Sequence, residues 1–170
     1  VHGGPMGPGQ PAPEPPAWMR IEEDRMLATA GRSKYFEDLE VGQEASMSRI
    51  VSEADIVAYA ALSGDYNPVH LDSEYAAKTI FKERIAHGIL SAGYISAIFG
   101  MKLPGPGAIY VSQSLFFKGP VKIDDRVESL VRLVELVPDK KRARFECVCT
   151  VAGKPVLTGE AVLMVPSRPR

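Results

Sequence analysis

Apolar residues recur at two different spacings along this chain, and the change of spacing divides it. In "SEADIVAYAALSGD", Ile56, Val57, Ala60 and Ala61 fall at helical intervals. Ser52 is a good helix N-cap, Asp55 sits at the capping-box position, and Gly64 is placed to stop the helix. A second helix is predicted over about His87 to Met101, "HGILSAGYISAIFGM". It is apolar nearly all round from Ile89 to Phe99, a pattern that predicts burial on every side. Its small residues Ser91, Ala92, Gly93, Ser96 and Ala97 would let a sheet approach closely, and Gly100 can end it.

Beyond the turn at Pro104–Gly107 the chain reads as strands: "AIYVSQSLFF", "RVESLVRLVEL", "RARFECVCTV" and "VLTGEAVLMV". Turn signals at Pro138-Asp139 and over Ala152–Pro155 separate the last three. An earlier strand follows Gly42 in "YFEDLEVGQEASMSRIVS". Long antiparallel strands with short links, plus one buried helix, give an α+β layout with a curved sheet around a central helix.

The stretch between the two helices fits neither spacing. "LSGDYNPVHLDSEYAA" puts Asp65, Asn67, Pro68 and His70 on one short bend. Pro68 forbids a regular helix through it and holds Asn67 out of the helical region. "DSEYAAKT" reads as a further short helix capped by Asp72 or Ser73. A carboxylate and an imidazole aimed at one water can take a proton from it and supply another nearby, so Asp65 and His70 are candidates for acid–base chemistry. Asn67 could orient either one. The same residues are also ordinary turn chemistry, since Asp and Asn bond local backbone and Pro fixes the turn.

Gly88 stands at the expected start of the second helix, where a free N–H and the helix dipole favour a developing oxyanion. Tight packing is the competing reason for a glycine there. His87 is read as a capping or packing residue with no proton transfer. Ser96 is a polar residue on an apolar helix, and such serines usually bond back to a helical carbonyl. No G-x-S-x-G surrounds it, and no phosphate-cradling glycine motif is present. Three histidines, one of them near the start of the chain, suggest no metal set.

Composition narrows the partners. The 170 residues suit one domain, and 45% hydrophobic content supplies a full core. A net charge of −1 gives no strong pull toward nucleic acid or membrane. No apolar run approaches the roughly 20 residues that span a bilayer. Cys147 and Cys149 share one face of a predicted strand and cannot reach each other in disulfide geometry, so both read as core hydrophobes in a reducing, cytoplasmic setting. Residues 1–33, dense in Pro and Gly, are expected to form a disordered tail without the apolar core of a secretory signal, leaving residues 34–170 as the domain.

"YAALSGDYNPVHLDSEYAAKTIFKERIAHGILSAG" resembles the hydratase-2 signature of the MaoC-like (R)-specific enoyl-CoA hydratases. The likeness continues through "LPGPGAIYVSQSLFFKGPVKIDDRV" into "VLTGEAVLMV" and covers most of Tyr35 to Val165. It implies a hot-dog fold, an antiparallel sheet wrapped around a long helix, and a homodimer with the two sheets joined edge to edge. It implies syn hydration of a trans-2-enoyl-CoA to the (R)-3-hydroxyacyl-CoA, without cofactor or metal. Asp65 and His70 match the catalytic pair, and Asn67 the asparagine that supports it. Gly88 matches the glycine whose N–H binds the thioester oxygen, and Ser96 a helix serine near the site in short-chain members. A dehydratase acting on acyl carrier protein would use the same residues. A thioesterase and a non-catalytic acyl-thioester-binding dimer are the remaining readings of this scaffold. Lys118, Lys122 and Arg126 are candidates for contacting an acidic carrier or the CoA phosphates.

Overall fold

The computed structural model describes residues 33–169. The expected tail therefore lies, but for Ser33, outside the described residues. A single 3-10 turn, Phe36–Asp38, precedes β1 (Glu44–Ile50). Helix α1 (Glu53–Ser63) begins at a full capping box: the Ser52 hydroxyl accepts from the Asp55 N–H, and the Asp55 carboxylate accepts from the Ser52 N–H at 2.8 Å. It ends at Gly64, whose φ of +77° lies in the left-handed region that glycine enters without a Cβ clash. Two short helices follow, α2 (Pro68–Leu71) and α3 (Ser73–Ala77), and then the long α4 (Gly88–Met101). Asp72 rather than Ser73 caps α3, accepting from the N–H groups of Glu74 and Tyr75.

The remaining strands are β2 (Ile109–Gln113), β3 (Phe116–Phe117), β4 (Arg126–Val137), β5 (Arg142–Val151) and β6 (Lys154–Met164). They form one six-stranded sheet in the order β1-β4-β5-β6-β2, with β3 also on β6 and every pairing antiparallel. In β4 and β5 alternate residues are buried, so Val127, Val131, Leu133, Ala143, Phe145, Cys147 and Cys149 face the helix. From α4, Ile95, Ile98 and Phe99 enter that layer, and Phe99 meets Phe145 edge-on at 4.9 Å between ring centroids. Each such fully buried side chain stabilises the fold by roughly 1.5–3 kcal/mol relative to exposure. The sheet wraps the helix as the resemblance implies: this is a hot-dog fold.

Two expectations need correction. The stretch "AIYVSQSLFF" is not one strand but two, β2 and β3, interrupted at Ser114–Leu115. The interruption brings backbone against backbone: a Cβ on Gly159 of β6 would lie 1.9 Å from the Ser114 carbonyl oxygen. Nor is α4 buried on every side. Ile89, Gly93, Ser96 and Gly100 are exposed and, spaced four, three and four residues apart, form one stripe along the helix. A single sheet covers only one side of a helix, so a helix without charged residues can still keep a bare face within one chain.

Candidate active site

The bend is built from local hydrogen bonds, as the turn reading of its residues expects. Ser63 donates to the Tyr59 carbonyl and accepts from the Asp65 N–H. Asp65 Oδ1 accepts from the Asn67 N–H at 3.2 Å, and Asn67 Oδ1 accepts from the Val69 N–H at 3.2 Å. Asn67 is thus the N-cap of α2, with Pro68 at its first position. One helical turn later the chain delivers His70 into the interior, 8% exposed. Asp65, by contrast, is exposed.

A second segment, Ile85 to His87, holds His70 in place. The Ile85 N–H donates to the Val69 carbonyl at 3.3 Å, and His70 Nδ1 lies 2.8 Å from the Ile85 carbonyl oxygen. A carbonyl can only accept, so Nδ1 carries the hydrogen and neutral His70 presents its lone pair at Nε2. The segment itself is anchored by the Ala86 N–H to the Val121 carbonyl, 2.7 Å, and by a bridge between Ile85 and Lys122. Arg84 just before it pairs with Glu53 at 2.7 Å, tying it back to α1.

His87 then packs its ring on His70, with centroids 3.8 Å apart and planes tilted by 30°. Its Nε2 reaches the backbone oxygen of Asp65 at 2.9 Å. Ligand-type atoms of Asp65, His70 and His87 all lie within 4.8 Å of one another. The expectation of no metal set is amended to that extent: the fold gathers three groups of ligating type.

A cavity of ≈ 520 Å³ opens beside these residues. His70, His87, Gly88 and Ser91 supply its polar wall, and Phe81, Ile85, Ile89, Phe117, Val121 and Leu157 much of its apolar wall. His87 puts no side-chain cap on α4, which leaves the first N–H groups of that helix open at the cavity. A Cβ on Gly88 would lie 2.6 Å from Phe117 Cε1, so the Phe117 ring would have to move to admit one. Of the predicted site residues, His70 and Gly88 line the cavity, whereas Asp65, Asn67 and Ser96 do not. Ser96 sits about two turns further along α4, on its exposed stripe. Of the three candidate cations, Lys118 lines the cavity, Lys122 pairs with Glu83 at 2.5 Å, and Arg126 donates to Ser48.

The residues that sequence reasoning undervalued are Ile85, His87, Ser91 and Phe117. Ile85 acts through its backbone, which no side-chain pattern announces. His87 and Ser91 read as helix-start and small-residue packing positions, and only the fold turns them to the cavity.

Comparison with known proteins gives a concordant picture. The MaoC like domain family matches residues 37–160. An (R)-specific enoyl-CoA hydratase of Rhodospirillum rubrum is 58% identical over 134 residues, 79% of this chain and 93% of the relative. A 3-hydroxybutyryl-CoA dehydratase of Methylorubrum extorquens is 50% identical, over 81% of this chain and 87% of the relative. The R-hydratase PhaJ1 of Pseudomonas aeruginosa, solved unliganded, superposes with a TM-score of 0.75 at 47% identity, covering 79% of this chain and 86% of that one. No helix among the described residues is long and apolar enough to cross a membrane. With a family model matched over residues 37–160 and a relative 58% identical over most of its length, the chain belongs to the MaoC-like family.

Proposed function

We propose that this chain catalyses the reversible syn hydration of trans-2-enoyl-CoA to (R)-3-hydroxyacyl-CoA. The observation that carries the reading is the fixed tautomer of His70: its Nδ1–H is held by the Ile85 carbonyl, which leaves the lone pair at Nε2, and a ring nitrogen of His70, in the cavity wall, lies within 4.8 Å of a carboxylate oxygen of Asp65. Two acceptors flanking one water can take up its hydrogens and leave its oxygen lone pair free to attack. The water oxygen adds to C3, and the π electrons shift through C2 to the thioester oxygen. One water proton passes to the pair, and the pair returns a proton to C2 on the same face. The negative charge that builds on the thioester oxygen meets the open N–H of Gly88 and the positive end of α4. The scheme uses no cofactor or metal. Asn67 supports it as the cap that shapes the bend, and the resemblance matches Ser96 to a helix serine near the site in short-chain members.

The working species in this reading is a homodimer, in a reducing compartment such as the cytoplasm. The two edges of the sheet differ in a way that supports the first point. Edge strand β1 carries Glu44 and Arg49, whereas edge strand β2 has no charged residue and exposes Ile109, Tyr110 and Val111. A bare apolar edge asks for a second strand, and charge on an edge discourages one. Two buried free thiols support the second point.

Loss of enoyl absorbance on crotonyl-CoA, with chiral analysis of the product, tests the function. Hydration to the (R) product is expected, and a predominantly (S) product or no hydration would reject it. A carrier-linked substrate assayed in parallel tests the dehydratase reading. Lys118 in the cavity wall is the cation placed to meet either a carrier or CoA phosphates.

A further inference from the structure

His87 is committed at one ring nitrogen and idle at the other. Its Nε2 faces the Asp65 carbonyl oxygen at 2.9 Å, so that nitrogen carries the hydrogen. The lone pair therefore sits on Nδ1, which is buried and has no hydrogen-bond partner among the described residues. The whole residue is 3% exposed, wedged between the rings of Tyr59 at 4.8 Å and His70 at 3.8 Å. Burying an acceptor without a donor is unfavourable, and a phenylalanine or leucine would fill the space without that cost. Packing alone is a poor reason for a histidine here.

The contacts supply a better one. His87 touches both members of the proposed pair: Asp65 through its backbone carbonyl and His70 through the ring face. It is also the residue directly before Gly88, the first residue of α4. One residue therefore links the bend that would hold the water to the helix end that would hold the thioester oxygen. Their separation decides whether a water can reach C3 while the oxygen rests on the helix terminus.

We propose that His87 is a positioning residue, whose Nε2–H bond to the Asp65 carbonyl and stack on His70 set the distance from the acid–base pair to the oxyanion end of α4. It gives and takes no proton in the reaction. This inference rests on the hydratase reading for its consequence and on the tautomer of His87 for its geometry, and the two are measured separately.

His87→Phe keeps a ring on His70 and removes the donor, while His87→Gln restores a donor near the Nε2 position. With crotonyl-CoA, His87→Phe is expected to lower kcat by about 10- to 100-fold, as misplacement of reacting groups does, with KM within about twofold. His87→Gln is expected to recover most of that loss. Wild-type kcat in folded His87→Phe, or a loss in both variants that only follows the fraction folded by circular dichroism, overturns the proposal. Nitrogen NMR of the wild-type imidazoles needs no variant to fold. It should read Nε2–H at His87 and Nδ1–H at His70, and Nδ1–H at His87 overturns the clamp by itself. A wild-type protein with those tautomers but no hydration activity would instead remove the hydratase reading.

Discussion

At the scale of single residues, the turn chemistry of the bend is compatible with the catalytic role proposed for it. Asp65 Oδ1 and Asn67 Oδ1 each accept a local backbone N–H, as a turn requires. The same bonds aim the chain so that Pro68 can open the single turn that buries His70. The types and spacing of Asp65, Asn67 and His70 were therefore legible in the sequence. What stayed hidden was the carbonyl of Ile85, fifteen residues beyond His70, which fixes the imidazole tautomer. Main-chain partners leave no mark on a side-chain pattern. If Asp65 and His70 share one water, Asp65→Asn and His70→Ala should each lower turnover by roughly 10²–10⁴-fold, the usual range for lost acid–base catalysis. The double variant should be little worse than the poorer single, because groups acting as a unit are not additive. Turnover and thermal unfolding measured on the same samples check this, and folded Asp65→Asn protein with near-normal turnover would dismiss the catalytic assignment.

At the scale of elements, helix α1 was readable to the residue because its boundaries are set by local chemistry, Ser52 and Asp55 at one end and Gly64 at the other. Ser52→Ala removes the hydroxyl that accepts from Asp55 N–H, and should cost about 1 kcal/mol of stability, as lost N-caps commonly do. Denaturant titration is the check, with turnover per folded molecule expected to hold because Ser52 lies outside the cavity. Strands β4, β5 and β6 were equally plain, since alternation and two turns defined them. The division of β2 from β3 was not, because it depends on Gly159 of β6 meeting the Ser114 carbonyl, a contact across the sheet rather than along the chain. The bare stripe of α4 escaped notice for a similar reason. An apolar helix looks the same in sequence whether its own sheet or something else covers each side.

At the scale of the whole molecule, the core carries a pH limit on its alkaline side. Burial pushes the Cys147 thiol from 9.0 up to about 12 and raises Cys149 as well. It likewise raises Tyr94. In each case the folded chain keeps a proton that the unfolded chain releases at lower pH. Between those values the folded state binds more protons, so stability falls as pH rises. The unfolding midpoint should therefore be insensitive to these groups below about pH 9 and decline from there toward pH 12. A midpoint that climbs across that range in thermal or denaturant unfolding would contradict the burial of these groups. The two edges of the sheet set a different kind of limit. If a second copy pairs along β2, as proposed, association and folding would share one equilibrium, and the melting point would depend on protein concentration. Dilution would then act as a denaturant in its own right.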